Sequence, residues 1–189
     1  MKELQQVKDL SFSYQRKDGS IDIIKLTLAL GIKVYQVEEV EEGFNAKIAL
    51  AEDDESFEIL VNANHSFNRQ RFSIAHEIGH FVLHRPALEK RKELHRLCSY
   101  ADDLDSRMEQ EADLLAEELL IPQKILEDRF LSSLKKDDLI SISKIREIAE
   151  YFKVSLIVAK IRLKNLQWKV PYISNSYICL LYTSPSPRD

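Results

Sequence analysis

The sequence predicts an α+β fold in which a small three-stranded antiparallel sheet packs against a helical core and a helical tail follows. Three observations predict it. Between residues 32 and 63, three runs alternate apolar and polar residues with period two. Two longer stretches, near 66–84 and 106–120, carry apolar residues at helical spacing, and residues 141–167 hold two short amphipathic helices. At 189 residues the chain can bury a core of its own, and 44% hydrophobic with 31% charged residues is an ordinary globular composition, which excludes disordered and collagen-like classes.

Taken in order, residues 1–19 are polar with scattered apolars and end in a turn at Arg16-Lys17-Asp18-Gly19. Ser20 is a good N-cap and Gly31 a good residue beyond a C-terminus, so Ile23, Ile24, Leu26, Leu28 and Leu30 between them read as a short, well-buried helix. The strands follow at Ile32 to Val37, at Phe44, Ala46, Ile48 and Leu50, and at Phe57, Ile59, Val61 and Ala63. Polar connectors separate them, and the expected arrangement is an antiparallel meander with one face on the core. A helix capped by Ser66 or Asn68 runs to about His84, with Pro86 as its stop. Residues 85–105 are a charged connection with room for a turn or two of helix. A second strong helix spans about Ser106 to Leu120, and Pro122 suits the first turn of another over Gln123 to Phe130. The expected organisation is one main domain over 1–130, a helical extension over 131–170, and a disordered or non-native tail over 171–189. The last residues, Leu181 to Asp189, lose all periodicity and resemble adapter read-through sequence.

Charge and cysteine usage narrow the function classes. The net charge of -4 hides a basic segment, residues 131–170, with nine Lys and Arg against four Asp and Glu. No apolar run approaches the roughly 20 residues that span a bilayer, and the first residues lack an export h-region, so a cytoplasmic location without membrane partners is expected. Cys98 and Cys179 are isolated, too few for a disulfide framework, and are expected to be plain structural residues.

The chemistry lies in Arg71-Phe72-Ser73-Ile74-Ala75-His76-Glu77-Ile78-Gly79-His80. On a helix, His76 and His80 project about 40° apart and aim two imidazoles at one point. Glu77 stands beside them, placed to take a proton from a water without ligating, which is the pattern of a zinc peptidase. Two histidines can share a helix face with no metal, but the intervening glutamate and apolar flanks favour zinc. A catalytic zinc needs a third protein ligand. Glu109 is the best candidate, with Asp113 one turn on to accept a hydrogen bond from the far nitrogen of a ligating histidine. Glu111 is the weaker choice, since it points about 200° away from Glu109. Ser106-Arg107-Met108-Glu109 also fits a capping box, in which Glu109 only closes the helix start. His65, His84 and His95 stand apart from the pair and are expected at the surface or in support of it. Gly79 inside the helix implies close approach of another backbone.

These residues resemble the ImmA/IrrE family of metallopeptidases. The resemblance runs from about Ile21 to Pro122 and rests on Asn62, the block Arg69 to His84, and the block Glu109-Gln110-Glu111-Ala112-Asp113 through Pro122. It implies a zincin-type helical core, zinc on His76, His80 and Glu109, and Glu77 as the base. It also implies a zinc-dependent endopeptidase whose protein substrate is a helix-turn-helix repressor, cleaved to derepress stress or mobile-element genes. The sequence departs from the family pattern at Asp113, where asparagine is frequent, and at Leu114-Leu115, where phenylalanine commonly precedes the alanine. More loosely, Ala149 to Ser155 followed by Arg162-Leu163 resembles a helix-turn-helix. An alternative is therefore a DNA-binding regulatory module with a non-catalytic metal site, which the basic segment favours weakly. The apolar girdle Ile157, Val158, Ile161 and Leu163 leaves little surface to read bases.

Overall fold

A computed structural model of the chain describes residues 2–51, 56–91, 93–95 and 103–172. Cys98, Cys179 and the tail from 173 onward lie outside the described residues. The α+β class holds: eight α-helices surround a small mixed sheet among those residues.

The N-terminal segment differs from expectation. It forms helix α1, Lys2–Ser13, and buries Val7 and Ser11, with Leu10 and Tyr14 packed against the core. Their i, i+3, i+4, i+7 spacing is a helical stripe, short in apolar residues because Ser11 occupies one of its positions. Helix α2, Ile23–Ala29, is capped by Asp22, whose carboxylate accepts from the Lys25 N–H, rather than by Ser20. It is half-buried: Ile23 and Leu26 face inward, while Ile24 and Leu28 are exposed. Gly31 follows it at φ +77°, a conformation that suits glycine.

The strands are β1 (Ile32–Val37), β2 (Ala46–Leu50), β3 (Phe57–Asn62) and β4 (Glu93–His95), in spatial order β1-β3-β2-β4. The expected three-stranded meander is thus corrected in two ways. A fourth strand joins β2, and β1 pairs parallel with β3, Ile32 opposite Phe57 and Val37 opposite Asn62. Only β2 and β3 form the antiparallel hairpin. Burial explains the order. β3 buries Phe57, Ile59, Val61 and Asn62 and takes an inner position, whereas β1 leaves Lys33, Tyr35 and Gln36 exposed, as an edge strand can. Alternation alone carries no information about which strand is whose neighbour.

Helix α3, Phe67–Leu83, lies on β2 and β3, and α5, Asp103–Leu120, lies against α3. Pro86 does not merely stop α3. It sits in the first turn of α4, Arg85–Arg91, where a missing N–H costs nothing. Because α5 begins at Asp103, Ser106 is inside the helix, and the capping-box role of Glu109 is removed. Beyond α6, Gln123–Leu126, a π-helical turn over Glu127–Leu131 leads to α7, Ile142–Phe152, and α8, Leu156–Asn165. Ile145, Ile148, Phe152 and Leu163 from α7 and α8 belong to the same buried core as Ile59, Ile78 and Leu119.

Arg71 ties these layers to the motif helix. Its guanidinium is buried and donates to the carbonyls of Ile21 (2.8 Å), Lys153 (3.2 Å) and Phe152 (3.3 Å). Burial, with Arg16 nearby, lowers its pKa to about 10, so it stays charged at neutral pH.

At the α3–α5 crossing, Gly79 has no room for a side chain: a Cβ there would stand 2.9 Å from both Cα and O of Ala112 and 3.1 Å from its Cβ. Alanine would gain about 1 kcal/mol in helix propensity but meet backbone, and overpacking costs about 1–3 kcal/mol. Gly79→Ala is therefore expected to destabilise the protein in urea unfolding. A variant more stable than wild type would show that the helices are not held this close.

Candidate metal centre

Two helices supply the site. On α3, His76 and His80 are fully buried and one turn apart; Glu109 comes from the first half of α5 with its side chain 19% exposed. The two Nε2 atoms are 3.0 Å apart, and the Glu109 carboxylate meets each at 3.1 Å, Oε2 on His76 and Oε1 on His80. The three groups form the one cluster of metal-ligating side chains found among the described residues. His76 turns its other nitrogen to Asp113, with Nδ1 to Oδ1 at 2.8 Å.

This donor set fits a metal on its own chemistry. The Asp113 carboxylate accepts from Nδ1 of His76, which leaves Nε2 to face Glu109 and His80. Two imidazole nitrogens and a carboxylate thus converge at 3.0–3.1 Å, and the types and spacing of these groups suit a cation between them. Separations of this size approach the edge, about 3.3 Å, of a tetrahedron with bonds of about 2.0–2.1 Å.

Residues 36–164 match the peptidase family described as the IrrE N-terminal-like domain, a span that contains both halves of the cluster. The chain belongs to this metallopeptidase family. It is 25% identical over 142 residues to metallopeptidase ImmA of Bacillus subtilis strain 168, covering 70% of this chain and 76% of that protein. A Mycobacterium tuberculosis transcriptional regulator of known structure shares the fold, with a TM-score of 0.57 at 14% identity over 88% of this chain. This chain spans about half of that regulator, 48% of its length.

Within this family framework, the remaining candidates fall as follows. Glu77 is fully buried on α3 beside His76. Glu111 is not in the cluster; its Oε2 lies 3.2 Å from Nε2 of His84 and its Oε1 accepts from Arg107 at 3.0 Å. His84 is 7% exposed and its Nδ1 is 3.0 Å from Nδ1 of His80, so it touches the cluster directly. The signal for it was present, because His84 follows His80 by the same four residues that separate His80 from His76. His65 lies instead in the β3–α3 connection, 3.5 Å from Asn62, and the side chain of His95 is outside the described residues.

In the metal-free protein the electrostatics follow from burial. Burial alone would raise the Glu109 pKa, but the contacts from His76 and His80 outweigh it and hold the carboxyl far below the usual range. His80 and His84 are both lowered, chiefly by burial, against the opposing pull of Glu109 and Glu111 respectively. All three groups therefore bind protons less readily folded than unfolded, and stability rises with pH wherever the unfolded chain holds more protons. The stability is complete above the unfolded histidine value of 6.5 and is lost as pH falls, first through the histidines and then, below 4.5, through Glu109. Calorimetry of chelator-treated protein is expected to show a melting temperature that drops from pH 7.5 to 5.0, with a shallower slope for His80→Gln. Equal slopes would contradict this account.

Proposed function

We propose that the protein is a zinc-dependent endopeptidase. The observation that carries this reading is the convergence of His76, His80 and Glu109 with a buried glutamate, Glu77, adjacent in sequence to the first histidine. His76 and His80 would hold the ion through Nε2 and Glu109 through its carboxylate, the two-histidine, one-glutamate set that suits catalytic zinc. Bound zinc supplies a Lewis acid and lowers the pKa of a water toward about 7.

The chain's own residues do the rest. Glu77 takes a proton from the attacking water and returns it to the leaving amine, a role for which burial beside the site suits a carboxylate. Asp113 holds the Nδ1 proton of His76 and so keeps its Nε2 lone pair directed at the metal position. Gly79 and Ala112 keep the two ligand-bearing helices in register.

The substrate we infer is a helix-turn-helix repressor, cleaved to derepress stress or mobile-element genes in the cytoplasm. The family resemblance supports it, and a structural neighbour that is itself a transcriptional regulator agrees with it. In this reading residues 1–130 are the catalytic unit and 131–170 a helical extension docked into its core. Duplex DNA enters it only as an accessory partner. In α8, Ala159, Arg162 and Leu163 are buried, and the Arg162 guanidinium is spent on the Ile121 carbonyl (3.2 Å) and on Glu118, leaving little polar surface for bases.

Glu77→Gln is expected to bind zinc like wild type while cleavage of a repressor encoded beside the gene falls by about 10²–10⁴. Elemental analysis and a gel-based cleavage assay measure the two. A variant that cuts as fast as wild type would sink the mechanism.

A further inference from the structure

We propose that His84 is a positioning residue for the metal centre, holding His80 by its outer nitrogen as the end of a chain that runs through Glu111 to Arg107. The proposal rests on the reading that His76, His80 and Glu109 bind zinc, and it assigns a role to residues which that reading leaves idle.

With His80 ligating through Nε2, the contacts allow one consistent set of proton positions along the chain. If Nε2 of His80 faces the metal position with its lone pair, its single ring proton is on Nδ1, 3.0 Å from Nδ1 of His84. Two nitrogens this close need one donor and one acceptor, so His84 accepts at Nδ1 and carries its own proton on Nε2. That proton points at Oε2 of Glu111, 3.2 Å away, a carboxylate that can only accept. The other oxygen of Glu111 takes the Nε–H of Arg107 at 3.0 Å. No contact in the series requires a second proton or leaves two lone pairs opposed.

The backbone places His84 for this task. As the C-cap of α3 its own N–H donates to the His80 carbonyl at 2.8 Å, which keeps it one turn beyond His80 on the same face of the helix. The ring is buried, 7% exposed, and tilted at 52° to that of His80 with centroids 5.1 Å apart. The two ligating histidines are consequently supported unequally. His76 meets a carboxylate directly, whereas His80 meets a neutral imidazole backed by a carboxylate that is 43% exposed. Through this second arm the inner site is connected to the surface of α5.

The test is zinc affinity of the full-length protein by chelator competition, with cobalt(II) absorption as a second readout. His84→Leu preserves buried volume and removes the acceptor. His84→Asn loses volume but sets Oδ1 where Nδ1 was. The positioning role predicts a loss of about 10–100-fold for His84→Leu, with a shifted cobalt d–d band, and near-wild-type affinity for His84→Asn. A packing role predicts the reverse order, and that order, or His84→Leu binding zinc like wild type, overturns the proposal. If His84→Leu does not fold by circular dichroism, Glu111→Leu on a half-exposed side chain decides it: a several-fold loss supports the chain and unchanged affinity overturns it. Wild-type protein that fails to bind zinc would overturn the metal site itself, and this proposal with it.

Discussion

The whole site depends on how closely α3 and α5 can approach. Ligands from two helices converge on one point only if the helix axes come near, and here the limit is set by Gly79 against the backbone of Ala112. Every larger residue at 79 would separate the two histidines from Glu109. The apolar residues on either side, Ile78 on α3 and Leu115, Ala116 and Leu119 on α5, then bury against the core and make the approach favourable by removing apolar surface from water. The strand pair β2–β3 underlies α3 and prevents it from backing away.

Burial around the site imposes its own order. Histidines that are inaccessible to water favour the neutral form, and each neutral imidazole has one proton to place. Asp113 takes one such proton, and His84, passing its own to Glu111, is in position to take another. Placing the proton on the outer nitrogen frees the inner nitrogen to offer a lone pair, which is what a cation between the histidines and Glu109 would require. The fit of the cluster to a cation thus comes from the arrangement of hydrogen bonds around it as much as from the identity of its three members.

What could be read from sequence and what could not divide along physical lines. His76, Glu77 and His80 are legible because a fixed spacing on a regular helix is itself a geometry, and Glu109 and Asp113 share that property on α5. Strand order is not legible, because the period-two pattern of Ile32–Val37 is the same whether its neighbour is β2 or β3. Helix α1 was obscured by the serine at its buried position 11, where a hydroxyl satisfied by the Lys8 carbonyl replaces an apolar side chain. Ser106 looked like a cap because its type and the glutamate three residues on fit a local rule, yet the helix starts a turn earlier, at Asp103. His84 was visible as a spacing, one turn beyond His80, but spacing does not show which of its nitrogens meets His80 or that Glu111 lies behind it.

Arg71 has a consequence for how the protein is made. Its guanidinium is committed to three carbonyls, one from Ile21 and two from Phe152 and Lys153, some eighty residues further along the chain. During synthesis the first acceptor is available as soon as α3 emerges, but the other two do not exist until α7 has been completed. A charged group cannot be withdrawn from water with most of its hydrogen bonds unmade. The Arg71 guanidinium can therefore take its full set of acceptors only once the C-terminal helices arrive, so the nascent chain carries its histidines long before all the contacts of their helix are available.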